Sequence, residues 1–139
     1  MIHKVERLSA GEYRGVPYIV AFNTSFEGYL AYVGLFKDIT GFDTFINLMD
    51  DLNCHGGVTY PADPYLIDED NRNHIFNKEE YEKYYWIGWD YMHYTDTYKD
   101  HVGDIVWTEA KVIADTHRTI DDLCILYPIL ISDTDIDNE

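Results

Sequence analysis

Basic side chains are scarce in this sequence: 10 Lys and Arg stand against 26 Asp and Glu, a formal net charge of −16 over 139 residues. A surface this negative repels phosphate at long range, which argues against direct binding of nucleic acid or of an anionic membrane. It leaves basic proteins, cations, and small ligands held in a locally neutral pocket as partner classes, with solubility alone as the plain alternative. Cysteine is nearly absent too, with only Cys54 and Cys124, far apart. Residues 1–10 are polar and lack the apolar segment of a secretory signal. The expectation is therefore reduced thiols in a cytoplasmic setting, with one disulfide permitted but not required. No run approaches the roughly 18 apolar residues that a membrane span needs. There is no internal repeat and no linker-like stretch, so 1–131 reads as a single domain and 132–139 as an acidic, disordered tail.

What the chain does have is core-forming material. Its 46% hydrophobic and 16% aromatic content, with 13 tyrosines, suits a folded domain whose half-buried walls pair an apolar body with a polar tip. Such a composition also permits a homodimer. Residues 12–22 alternate as a strand should, with Pro17 expected at a sheet edge or a bulge because it lacks an N–H. Residues 23–28 carry turn chemistry and 29–36 form a second β-rich run, so the two read as an antiparallel hairpin. Over 41–53 the period changes: Phe42, Phe45, Met49 and Leu52 mark a short amphipathic helix. Residues 56–60 read as a short strand entered through two glycines, 61–77 as a long loop, and 79–83 as a brief helical turn. Residues 84–91 read as a central strand. From Thr108, a plausible N-cap, Ala110, Ile113, Ala114, His117, Ile120, Leu123, Cys124 and Tyr127 mark one face of a long helix limited by Pro128. The predicted fold is α+β: a small antiparallel sheet, made of the N-terminal hairpin and two further strands, packed by a short helix and a long C-terminal helix.

Polar chemistry gathers in two segments. In the first, Cys54 to Tyr60, the paired Gly56 and Gly57 allow close approach of backbone to a ligand, and His55 stands at the mouth of the following strand beside Thr59 and Tyr60. A tight turn, with His55 on the last carbonyls of the preceding helix, explains the same residues without a ligand. In the second, Asp90, His93 and Asp96 recur every third residue behind Trp86 and Trp89. Imidazole and carboxylates ligate divalent metals and also serve as acid–base pairs, which makes His55, Asp90, His93 and Asp96 the candidate metal ligands; the spacing itself has no unique metal signature. An Asp-capped turn below an aromatic strand is the structural alternative. If the two segments are neighbours, their polar groups converge beside Tyr60, Trp86 and Trp89 in a hollow of the kind that holds small molecules. Arg14, Lys37 and Lys83 are the nearest cations. Without local cations or a bridging metal, that acidic cluster rejects phosphate-bearing ligands. His117, alone on an apolar face, reads as a hydrogen-bonded core or boundary residue, and His101 and Asp104 as parts of a solvated loop. No Ser, Cys and His arrangement forms a recognisable nucleophile site.

The pair His-Gly-Gly-Val-Thr-Tyr (55–60) and Trp-Ile-Gly-Trp-Asp-Tyr-Met-His-Tyr-Thr-Asp (86–96), followed by a C-terminal helix, resembles a group of small, largely uncharacterised phage and prophage proteins. Their pattern is approximately HGG-hydrophobic-TY, then W-hydrophobic-GFD-x-x-H-x-x-D. Glu-Tyr-Arg-Gly (12–15) and Gly-Tyr-Leu-Ala-Tyr-Val-Gly (28–34) match their N-terminal hairpin. Trp89 replaces the more usual Phe, and the insert between the motifs departs from the group. The resemblance implies a phage origin and a shared site, not a reaction.

Three functions are compatible with these features. The first is a phage-encoded counter-defence protein that binds a small nucleotide-like host ligand through His55, Gly56, Gly57, Thr59, Tyr60, Trp86, Trp89, Asp90, His93 and Asp96. The second is an acidic, nucleic-acid-mimicking inhibitor of a host defence protein, of the anti-CRISPR or anti-restriction type, which the charge and the tail residues Asp133, Asp135 and Asp137 favour. The third is a metal-dependent hydrolase, in which a divalent ion offsets the charge and activates water.

Overall fold

The Tyr13-Arg14-Gly15-Val16 segment divides what reads as one strand into two. Arg14 and Gly15 both adopt positive φ, 54° and 80°, the backbone pattern of a two-residue hairpin turn whose twist matches that of its flanking strands. The computed structural model describes residues 5–24, 27–37, 69–91 and 107–131. Around the turn, β1 (Val5–Tyr13) pairs antiparallel with β2 (Val16–Asn23). β2 and β3 (Gly28–Leu35) form a second antiparallel hairpin, closed by the Asn23↔Gly28 pair. After α1 (Glu69–Ile75) and α2 (Lys78–Lys83), β4 (Tyr85–Asp90) pairs antiparallel with β3. The long helix α3 (Glu109–Leu126) and a 3-10 turn (Pro128–Ile131) complete the described chain. The sheet order is β1-β2-β3-β4, and the fold is α+β, as the sequence suggests.

Three details go beyond or against the sequence-based expectation. Residues 5–11, which lack an obvious apolar pattern, form most of β1. Residues 69–75 are a helix rather than part of a long loop. β4, expected to be central, stands last in the strand order among the described residues. The expected helix over 41–53, the strand over 56–60 and the tail lie outside the described residues.

The alternation of strand side chains sorts the core into two layers. On one face Val16, Val20, Ala31, Val33, Leu35, Ile87 and Trp89 pack against Val112, Ile120 and Leu123 of α3 and Leu130 of the 3-10 turn. On the other, Val5, Ile19, Ala21, Leu30, Tyr32 and Trp86 pack against Ile75 and Phe76, which end and follow α1. A β-bulge between Arg7 and Ser9 resets the alternation in β1. Arg7 therefore faces α1 and α2, where its guanidinium donates to the Ile75 carbonyl and pairs with Glu80, while Ser9 faces α3 and bonds Glu109. Pro17 is not at the bulge. It sits in β2 opposite Glu12, one residue before the β2–β3 ladder begins at Tyr18↔Val33, so its missing N–H interrupts no ladder bond.

Candidate functional site

β4 delivers the aromatic half of the second motif to the core, not to a shared hollow. Trp86 pairs with Gly34 and Trp89 with Ala31, and positions three apart on a strand point to opposite faces. Trp86 Nε1 donates to the Glu80 carbonyl at 3.0 Å, and its ring leans on Phe76 at 4.9 Å. Trp89, 1% exposed, donates from Nε1 to the Tyr91 hydroxyl at 2.9 Å, which donates to Asp115 Oδ2 at 2.6 Å. Arg118 then closes the chain on Asp115 and Asp122. Both indole N–H groups are thus spent on the protein itself, and the two rings wall no common cavity. Asp90 is half-buried, pairs with Leu30 and shares the Trp86 face. His55, Gly56, Gly57, Thr59, Tyr60, His93 and Asp96 lie outside the described residues. Among the described residues, no group of three His, Cys, Asp or Glu side chains is placed to hold a metal ion.

His117 is half-buried, with its ring stacked on Tyr13 at 4.2 Å and 6° and met edge-on by Tyr18 at 5.0 Å. Its Nε2 is buried without a hydrogen-bond partner, so aromatic packing, not the expected hydrogen bond, holds that side of the ring. Beside it the Tyr13 hydroxyl donates to Asp121 Oδ2 at 3.3 Å, and Arg14 Nη1 donates to Asp121 Oδ1 at 3.0 Å. That hydrogen bond to Asp121, helped by burial, holds the Tyr13 phenol above its ordinary pKa, and the same carboxylate raises that of Arg14.

A cleft of about 750 Å³ lies on the sheet face opposite α3, between β1 and the α2 helix. Its apolar lining includes Pro17, Tyr18, Tyr84 and Trp86. Gly34 lies beneath the Pro17 and Trp86 rings, and a Cβ there would stand 2.9 Å from Pro17 Cγ and 3.2 Å from Trp86 Cη2, so only glycine lets the two rings settle side by side. The polar rim consists of Glu12 from β1, Asn77, and Glu79, Glu80, Glu82 and Lys83 from α2. Asn77 caps α2 reciprocally with Glu80: its side chain accepts from Glu80 N at 2.8 Å, and Glu80 accepts from Asn77 N at 3.0 Å. Glu80 is also committed to Arg7. Glu12, Glu79 and Glu82 are exposed and have no ion-pair partner among the described residues. Lys83, the cation of the rim, lies with Nζ 5.3 Å from the centre of the Tyr84 ring. The cleft therefore presents unmatched negative charge around an aromatic floor. That arrangement repels phosphate and attracts an ammonium or guanidinium carried on an apolar stem.

These carboxylates are absent from the sequence-derived site. The available signal is the Lys-Glu-Glu-Tyr-Glu-Lys run, where Glu79 and Glu82 fall three apart on a helix and so share a face. A second hollow of about 320 Å³ lies on the far side of α2 between Arg72, Asn73, Phe76, Lys78, Tyr81 and Glu82, with the Arg72 guanidinium 4.9 Å above the Tyr81 ring. No helix among the described residues is long and apolar enough to cross a membrane. Comparison with protein-family models, with curated proteins and with solved structures finds no match to this chain.

Proposed function

We propose that this chain is a binding protein for a basic protein surface, engaged through the carboxylate-rimmed cleft. The observation that carries this reading is the set of three exposed glutamates, Glu12, Glu79 and Glu82, which have no ion-pair partner among the described residues, around the Pro17, Tyr84 and Trp86 floor. The net charge of −16 gives the long-range attraction that brings such a partner in. The apolar floor gives the short-range contact that a charged surface alone lacks. This is the acidic-inhibitor reading of the sequence, attached to a defined surface. A nucleic-acid-binding protein of a host defence system is the partner class it suggests when joined to the phage resemblance. The small nucleotide-like ligand draws no support from the described residues, because the tryptophans meant to wall it face opposite ways and the open cleft is negative.

The test is a salt-dependent titration of a labelled lysine-rich peptide against two variants of equal charge. Glu79→Lys with Glu82→Lys changes the cleft, whereas Glu6→Lys with Glu27→Lys makes the same change in net charge at exposed positions outside it. The cleft variant is expected to lose about tenfold or more in affinity at 0.1 M salt, where charges beyond about 10 Å are screened, and the outside variant no more than about threefold. Equal losses in the two variants would reduce the interaction to bulk charge and end the assignment of this surface.

A further inference from the structure

The cleft opens along β1, whose outer side has no partner strand among the described residues. In a two-residue hairpin the flanking pair, here Tyr13↔Val16, exchanges both backbone hydrogen bonds, and such pairs alternate along the ladder. Gly11↔Tyr18 is then the next bonded pair, while Glu12↔Pro17 and Ala10↔Ile19 are non-bonded, in keeping with the missing N–H of Pro17. The N–H and C=O of Ala10 and of Glu12 consequently point away from β2, out of the sheet. β1 is the first strand of the order among the described residues, and the same Ala10–Glu12 stretch forms one wall of the cleft.

We infer that the cleft takes an extended basic segment of its partner, which adds to β1 as a further strand over Ala10–Glu12. This rests on the basic-partner reading above and deepens it. An extended segment beside β1 satisfies four outward backbone groups at once, two N–H and two C=O. Its alternate side chains fall on the cleft face, and a lysine or arginine there lays its stem over Pro17 and Trp86 with its head toward Glu79 and Glu82. The remaining side chains fall on the α3 face beside Ser9 and Tyr13. The addition is short by construction, because the bulge at Arg7/Ser9 breaks the edge on one side and the Arg14-Gly15 turn ends it on the other. Charge complementarity selects the occupant: a second copy of this chain, itself strongly acidic, would bring carboxylates against carboxylates.

The experiment uses the whole chain and a fluorescein-labelled decapeptide of alternating Lys and Val, with an analogue N-methylated at its six central residues. N-methylation removes amide donors and obstructs strand pairing while keeping every charge. The parent peptide is expected to bind and the methylated one to bind at least tenfold more weakly. Exchange of the Ala10 and Glu12 amide protons, followed by NMR, is expected to slow when the parent binds, while that of Lys78 does not change. Ala10→Pro, which deletes an outward donor and leaves the β1–β2 ladder intact, is expected to reproduce the loss. If that variant fails to fold, the methylated peptide and the exchange measurement still decide. Equal binding of the two peptides, still abolished by Glu79→Lys with Glu82→Lys, would overturn strand addition and leave the basic-partner reading standing. Parent-peptide binding unaffected by those glutamate changes would remove both.

Discussion

Gly88 shows how one missing methyl sets the core. It pairs with Tyr32, whose ring covers it; a Cβ at this position would lie 2.6 Å from Tyr32 Cδ1 and 3.0 Å from the Ala31 carbonyl. Tyr32 is 1% exposed and packed edge-on to Phe76 at 5.1 Å, so it has nowhere to retreat. Gly88→Ala is accordingly expected to destabilise the fold by about 1–3 kcal/mol, the range for overpacking a tight core, as read by denaturant unfolding. A neutral result would mean that Tyr32 repacks freely and that the Phe76 layer is looser than its geometry indicates. The glycine in Trp-Ile-Gly-Trp is thus a packing residue. The same motif shows what was legible in the sequence and what was not. That 86–90 is a strand follows from its aromatic, β-prone composition. That Trp86 and Trp89 cannot share a wall follows equally from a period of two, since an odd separation puts them on opposite faces.

At the scale of elements, α3 is the most legible: of the expected face, Ile120 and Leu123 are buried and Ile113, Cys124 and Tyr127 pack against the same core. Thr108 is the N-cap, as expected, its hydroxyl accepting from Lys111 N at 3.2 Å. The buried stripe, however, is Val112, Thr116, Thr119, Ile120 and Leu123, while Ala110 and Ala114 are exposed. Two threonines are hidden because each hydroxyl donates back to a carbonyl one turn earlier, Thr116 to Val112 at 2.8 Å and Thr119 to Asp115 at 3.0 Å. Hydropathy scores them as polar and cannot see that satisfaction. β1 escapes the hydropathy pattern for a related reason. Its inward phase is reset by the bulge, and Arg7 and Ser9 spend their polarity on partners far along the chain. The hairpin turn places Arg14, rather than Asn, Asp or Gly, at its first positive-φ position, so Gly15 alone carries the turn signature. Since the N-cap is local and the buried stripe is tertiary, Thr108→Ala should cost about 1 kcal/mol by loss of one capping bond. That loss should appear in the melting temperature without changing peptide binding at the cleft on the opposite face of the sheet. A loss of binding larger than the loss of stability would show that α3 couples through the sheet.

The whole molecule is governed by its charge imbalance, and salt should act on its stability and on its binding in opposite directions. Among the described residues the ion pairs are Arg7–Glu80, Arg14–Asp121, Arg118–Asp115 and Arg118–Asp122, all partly open to solvent. Pairs of this kind contribute little, so screening them removes little. The excess of carboxylates repels itself in the folded state more than in the expanded chain, and screening relieves that repulsion. Raising NaCl from 0.01 to 0.3 M shortens the screening length from about 30 Å to below about 10 Å. The melting temperature should then rise by about 3–6 °C, the shift for roughly 1 kcal/mol in a domain of this size. Binding of a basic peptide at Glu12, Glu79 and Glu82 should weaken over the same range, because the attraction being screened lies between unlike charges. One titration series, read by calorimetry for the melt and by anisotropy for the peptide, separates the two slopes. A melting temperature that falls with salt would show that the acids are matched locally by cations. The glutamates at the cleft would then lose their claim to a partner.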